Sequence, residues 1–392
     1  MEKNTRTMGH YIMLKLFICL FVVMNTHHVY GDKKRINLTY ITNAVEKQAV
    51  CNDGSPAAYY YDPGFGEGVN NWIIFLRGGS WCNSTEYCGY RLRTPLGSSK
   101  YINPTATFEQ IRSANRTTNP DFYNWHRILV MYCDGSSFMG NACHPRITSR
   151  GARIFDVLIE EMLEKGMANA NNAILAGDSA GGLAALLHCD EFRALLHRTG
   201  RVKCLIDSGF FAHAPKLHGA QRRAEYFAGV AAYHGFTNKL PSSCTSRMNA
   251  SLCIFPENFI KNIQTPLFLL EAKFDIFQMA YVSDEPNYLN CIMNLTLCTH
   301  SHFQTMRDYG VAVTELLQEI RDSSSIGMFV HPCLRHGHFQ EKSGWGWSYK
   351  LRNKTIAEAI GDWYYDRSGP FQEIDSDHEF PLSLNCTKIP NI

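Results

Sequence analysis

The chain has little net charge, no membrane-length apolar run beyond its N-terminus and no C-x-x-C pair, and each lack removes a class of function. Its 38 basic and 36 acidic residues nearly cancel. Setting aside Lys3, Arg6, Lys15 and Glu2 of the N-terminal segment leaves 35 of each. There is thus no basic field of the kind nucleic-acid binding needs. After residue 31 no stretch approaches the roughly 18 consecutive apolar residues of a transmembrane helix, which argues against stable membrane insertion. Without a C-x-x-C pair, the metal-site reading of the cysteines is weak. No Pro- or Ser-rich linker divides the sequence, so 32–392 reads as a single domain.

What is present begins with a secretory signal over 1–31. Lys3 and Arg6 precede the apolar run Tyr11 to Met24, and Val29-Tyr30-Gly31 supplies a small residue for cleavage. Lys15 inside the run argues against a lasting anchor. Of 14 cysteines, Cys19 leaves with the signal, and an oxidising compartment would pair most of the rest. Their odd number leaves at least one unpaired. Cys82 with Cys88, Cys244 with Cys253 and Cys291 with Cys298 lie close enough for short loop staples. N-x-S/T sequons at Asn37, Asn83, Asn115, Asn249, Asn294, Asn353 and Asn385 fit a secreted glycoprotein.

The chemistry centres on Ala173 to Gly182, where an apolar strand runs into Gly177-Asp178-Ser179-Ala180-Gly181. This is a G-x-S-x-G elbow between a strand and a helix. A sharp turn there lifts the serine hydroxyl above the sheet, and the flanking glycines keep side chains out of the turn. Leu183 to Leu196 has helical spacing, so Ala180 presents its N–H at a helix start, where negative charge is stabilised.

Strands are expected at Ala57 to Tyr61, Trp72 to Leu76, Arg127 to Tyr132, Val202 to Ile206, Pro266 to Glu271 and Gly327 to Val330. Helices are expected over Arg150 to Lys165, capped by Gly166, over Gln304 to Asp322 and over Ile356 to Tyr364. The strand, helix, strand, elbow, helix order predicts an α/β fold of α/β-hydrolase type, with a mostly parallel sheet and helices on both faces. His213 to Asn262 breaks into short mixed segments and reads as a cap or insertion. Active sites in such sheets lie beyond the strand C-termini.

Arg77-Gly78-Gly79-Ser80-Trp81 follows a central strand at the place where this architecture puts the other half of an oxyanion hole. Gly79 and Ser80 are the expected donors, together with Ala180, and Trp81 reads either as pocket lining or as packing. A serine needs a base, and the base a carboxylate, in the chain order Ser, Asp, His. Asp275 and His336 each follow a strand and fit that order. Asp207 competes with Asp275 but reads better as a structural acceptor. His338 would serve only with a shifted loop, His331 reads as buried and His188 as a core histidine. Asp178 is expected to face away from the pocket.

The stretches Cys51 to Tyr59, Gly68 to Trp72, Arg77 to Cys82, Asn119 to Trp125, Tyr132 to Gly135, Ser179 to Gly182 and Gly361 to Trp363 together resemble the plant pectin acetylesterases. The animal Notum carboxylesterases are more distant relatives of that group. The resemblance runs from about Ile36 to Arg367. It implies a secreted α/β-hydrolase of the cell wall acting on acetylated pectin, with its triad on Ser179, Asp275 and His336 and its oxyanion donors on Gly79, Ser80 and Ala180. Arg77 and Ser80 depart from the usual acidic residue and glycine. Asp178 and Gly337 stand where relatives often carry cysteines.

The expected reaction is hydrolysis of O-acetyl esters through an acyl-serine, with no metal or organic cofactor. A Notum-like lipid O-deacylase, which needs a deep apolar pocket, and a binding protein with a damaged oxyanion hole are the alternatives. Oligomeric state is not legible.

Overall fold

The computed structural model describes residues 34–375 apart from 281, 284, 322, 324, 340–348 and 370. The expected signal over 1–31, Asn385 and Cys386 lie outside the described residues. The described residues from Ile36 onward form one compact unit. Among the described residues, no helix is long and apolar enough to cross a membrane.

Ten strands form one sheet. Seven run parallel, in the spatial order Gln372–Ile374, Ile326–Arg335, Leu267–Asp275, Arg201–Asp207, Asn172–Asp178, Asn71–Leu76 and His126–Val130. Ala58–Asp62 then joins antiparallel, followed by Arg35–Tyr40 and Thr105–Thr107. The middle strands are almost wholly buried, as a sheet covered on both faces requires.

Strand alternation sorts the core into two layers. Ile74, Leu76, Ala173 and Leu175 face one cluster with the elbow helix and with Gly151–Glu164 and His300–Ile320. Ile73, Phe75, Ile174 and Ala176 face the other, closed by Ile356–Tyr364 and by Phe122 and Trp125. The α/β-hydrolase-like expectation therefore holds.

Most expected elements are present, with three differences. The helix after the elbow is two helices, Ala180–Leu187 and Cys189–Leu195. The chain turns at His188, whose Nε2 lies 3.1 Å from the Phe138 carbonyl, and Cys189 is tied to Cys204 by a disulfide. These long-range ties override a helical periodicity that continues through the break. The last two long strands extend beyond their expected ends, to Asp275 and Arg335. Each pairs with the other along its length, and cross-strand pairing is invisible in a local pattern. Finally, the region from His213 to Asn262 contains a 14-residue helix, Ala220–Tyr233, among short 3₁₀ turns.

The three short staples form as expected, Cys82–Cys88, Cys244–Cys253 and Cys291–Cys298. Cys51–Cys133 joins segments 82 residues apart, and Cys189–Cys204 ties the second elbow helix to the strand that follows it, 15 residues on. Cys143 is exposed and free.

Candidate active site

The elbow strand and the strand Asn71–Leu76 are adjacent and in register, Leu76 opposite Gly177. That register brings the turn after each strand into contact. A Cβ on Gly181 would lie 2.1 Å from the Leu76 carbonyl oxygen, and one on Gly177 would lie 2.1 Å from the Gly181 carbonyl oxygen. Both motif glycines are therefore required by close approach. Ser179 sits between them at φ 54°, ψ −125°, the strained geometry of a nucleophile elbow. Its N–H is taken by the Asp207 carbonyl at 2.8 Å.

Parallel pairing also sets the other two side chains. Asp275 closes its strand and stands opposite Arg335 in the next, so His336 emerges beside it. His336 Nδ1 lies 2.7 Å from Asp275 Oδ2, and its Nε2 lies 2.7 Å from Ser179 Oγ. The carboxylate takes the proton on Nδ1, which leaves a lone pair on Nε2 facing the serine hydroxyl. Asp275 is fully buried, and its second oxygen accepts the Gln278 N–H at 2.9 Å. Burial opposes a charge on His336, but the carboxylates of Asp275, Asp207 and Asp178 outweigh it and raise its pKa. The structure thus brings Ser179, Asp275 and His336 together.

The loop Gly78 to Trp81 lies against the elbow. A Cβ on Gly78 would fall 2.3 Å from the Asp178 carbonyl oxygen and 3.2 Å from the Ala180 nitrogen. Gly78 N–H donates to Asp178 Oδ1 at 3.0 Å. Asp178 thus does more than face away from the pocket, since it ties the two halves of the site. Arg91 donates to the Gly79 carbonyl at 2.9 Å, and the Tyr132 hydroxyl to the Ser80 carbonyl at 2.9 Å. In a trans peptide the N–H points opposite the preceding C=O, so holding the Gly79 oxygen aims the Ser80 N–H the other way. Ser80 itself is left-handed, at φ 59°. Serine fits that conformation less readily than glycine, and the Tyr132 bond holds it there. Arg91 and Tyr132 were not singled out from the sequence, because their roles depend on where a distant helix and strand end.

Arg77 is exposed at the mouth of this loop. Trp81 is buried, donates Nε1–H to Ser137 Oγ at 2.7 Å and meets Phe211, Phe227 and Phe277 edge to face. These rings line an apolar cavity of about 220 Å³ that also reaches Ala212 and Tyr309. Phe277 stacks on His336 with ring centres 5.0 Å apart, so cavity and triad share a wall.

The competing residues occupy other places. Asp207 is fully buried and binds His338, with Oδ1 2.5 Å from Nδ1. His338 Nε2 in turn lies 2.6 Å from His331 Nε2. His188 is buried against Phe155. The arrangement of nucleophile, imidazole and buried carboxylate, beside an amide-rich loop, is suited to acyl transfer.

Comparison with known proteins agrees with this chemistry. The pectinacetylesterase family model matches residues 30–387. Pectin acetylesterase 7 of Arabidopsis thaliana is 43% identical over 354 residues, covering 87% of this chain and 90% of that protein. Pectin acetylesterase 11 of the same plant is 42% identical, covering 90% and 92%. More distantly, palmitoleoyl-protein carboxylesterase notum2 of Xenopus laevis is 26% identical, covering 87% of this chain and 69% of that protein. The chain therefore belongs to the pectinacetylesterase family and is a carboxylic ester hydrolase.

Proposed function

We propose that this protein is a secreted serine esterase that removes O-acetyl groups from pectin in the cell wall. The observation that carries the mechanism is the pair of 2.7 Å contacts joining Ser179, His336 and Asp275. Ser179 Oγ attacks the acetyl carbonyl as His336 Nε2 takes its proton. His336 then delivers that proton to the leaving sugar hydroxyl, and water activated by the same ring hydrolyses the acyl-serine to acetate. Asp275 orients the ring and stabilises its charged form. The N–H groups of Gly79, Ser80 and Ala180 receive the oxyanion, each worth on the order of 3 kcal/mol. No step calls for a metal or an organic cofactor. The loop contacts from Arg91 and Tyr132 support a formed oxyanion hole and weigh against a binding protein with a damaged one.

The five disulfides between described residues fit an oxidising compartment. The sequon residues Asn37, Asn115, Asn249, Asn294 and Asn353 are exposed, as glycosylation requires. A cleaved signal over 1–31 and one catalytic domain over 32–392 complete the reading.

The apolar cavity favours a second reading, cleavage of a longer acyl chain. A cavity of ~150 Å³ holds benzene, so about 220 Å³ beside His336 exceeds what an acetyl group fills. The test is acetate release from acetylated pectin by the purified protein, run beside cleavage of an octanoyl ester. Rapid acetate release with little octanoyl cleavage is expected. Octanoyl cleavage alone would replace the pectin reading with a lipid deacylase.

A further inference from the structure

We infer that Asp207 is a positioning residue for the esterase reaction, fixing the nucleophile through its main chain and the base through its side chain. The inference rests on the assignment of Ser179 and His336 made above. Asp207 ends the strand between those that carry Ser179 and Asp275, so the His336 loop must cross above it to reach the elbow. Its carbonyl accepts the Ser179 N–H at 2.8 Å. Its carboxylate accepts the N–H groups of His338 at 2.6 Å and Phe339 at 3.0 Å. The neighbouring Ser208 hydroxyl accepts the Gly337 N–H at 2.9 Å. Three successive amides after His336 are thus anchored on Asp207 and Ser208.

The hydrogen-bond order also fixes the protonation. Cys333 N–H donates to His331 Nδ1 at 3.2 Å, which puts the His331 proton on Nε2 and directs it at His338 Nε2. The His338 proton then sits on Nδ1 and is donated to Asp207. Both rings are neutral in this order, and Asp207 is the anion. Burial alone would raise the Asp207 pKa, but His338 and the loop amides outweigh burial and lower it. His331 is held well below its ordinary pKa, by burial first and then by the neighbouring Arg335 charge.

An asparagine at 207 conserves shape and breaks this order. Its NH₂ would face the His338 Nδ1–H, donor against donor. Reversing the His338 and His331 protons would move the conflict to His331 Nδ1 and the Cys333 N–H. The change also deletes a negative charge that raises the His336 pKa. Among the described residues, the other charges that raise the His336 pKa are the carboxylates of Asp275 and Asp178, the latter offset by Arg77 and Arg112. Burial favours the neutral acid form of Glu271 and the neutral phenol of Tyr309, and Arg335 lies beside Asp207 itself. Removing the Asp207 charge therefore lowers the His336 pKa part of the way.

The experiment compares Asp207→Asn and His338→Asn with the wild type on 4-nitrophenyl acetate. Rates are taken against pH per active site titrated with a fluorophosphonate, so unfolded protein is not counted. For Asp207→Asn, kcat should fall about 10²-fold, the loss typical of a small misplacement, with KM within about twofold. Its acid limb should move to lower pH, because a less basic His336 stays neutral further down. His338→Asn keeps the Asp207 charge and loses one anchor, so kcat should fall about tenfold with the acid limb in place. Wild-type kcat per site in either variant, or an unmoved limb in Asp207→Asn, would overturn the inference. Fluorophosphonate labelling that survives Ser179→Ala would instead overturn the underlying triad.

Discussion

Asp275–His336 and Asp207–His338 are two carboxylate–imidazole pairs on neighbouring strands, with contacts of 2.7 and 2.5 Å. Both carboxylates are fully buried. What separates them is the second ring nitrogen, which in His336 faces a hydroxyl and in His338 faces another imidazole. The His336 ring keeps a lone pair for a reacting proton, whereas the His338 ring has both nitrogens committed within the core. Residue type and pair distance do not make a general base; the partner on the far side does.

The strongest way to break the comparison is to remove the reacting partners. Ser179→Ala and His336→Ala should each lower kcat by roughly 10⁵ to 10⁶-fold, as loss of one member of such a unit does elsewhere. The thermal melting point of Ser179→Ala should stay within a few degrees, since one hydroxyl is lost from a strained turn. Asp275→Asn should cost about 10⁴-fold by favouring the wrong His336 tautomer. Stopped kinetics and melting curves on the same preparations check all three. Comparable losses from Ser179→Ala in stability and in turnover would undo the distinction between the pairs.

The same contrast predicts where stability sits. His331→Ala removes a fully buried ring and orphans His338 Nε2, so it should cost about 2 to 4 kcal/mol of unfolding free energy. Turnover per titrated site should fall only a few-fold, because Asp207 still holds the loop amides. Urea titration reads the first number, and steady-state kinetics the second. A variant of full stability would show that the His331 contact carries no weight.

The meeting of Ser179, Asp275 and His336 was legible in the sequence because each sits at a strand end, and strand ends can be read from apolar runs and the turns that follow. The elbow was legible for the same reason, with glycines demanded by contacts as close as 2.1 Å. Asp207 also ends a strand, and sequence logic ranked it as a structural acceptor; in the structure its carboxylate accepts from His338 and Phe339. That logic could not reveal that the acceptor serves the His336 loop, since that depends on which strand lies between the other two. Strand order is a tertiary property. The helix Ala220–Tyr233 escaped because its Arg and Ala positions blur the apolar stripe, while Phe227, Val230 and Ala231 find cover only in the folded chain.

Arg77 offers the finest test of the difference between buried and exposed charge. It follows the strand Asn71–Leu76, anchors its N–H on the Val130 carbonyl at 3.1 Å and leaves its side chain exposed. Its charge reaches the site, since it opposes the rise that burial imposes on Asp178. Deesterified galacturonate residues are anionic, so an exposed cation beside the oxyanion loop should attract the polymer. An exposed interaction is worth about 1 kcal/mol or less and is screened as the Debye length shrinks to ~3 Å at 1 M salt. Arg77→Gln should therefore raise KM for acetylated pectin about two- to fivefold at low salt, with kcat nearly unchanged. The difference should vanish at 1 M salt and be absent on neutral 4-nitrophenyl acetate. The Asp207 and Asp275 variants should keep their defects at every salt concentration, because their charges are sealed from solvent. An Arg77→Gln defect that persists in high salt, or that appears equally on the neutral ester, would place Arg77 with the buried groups and make it part of the oxyanion loop's architecture.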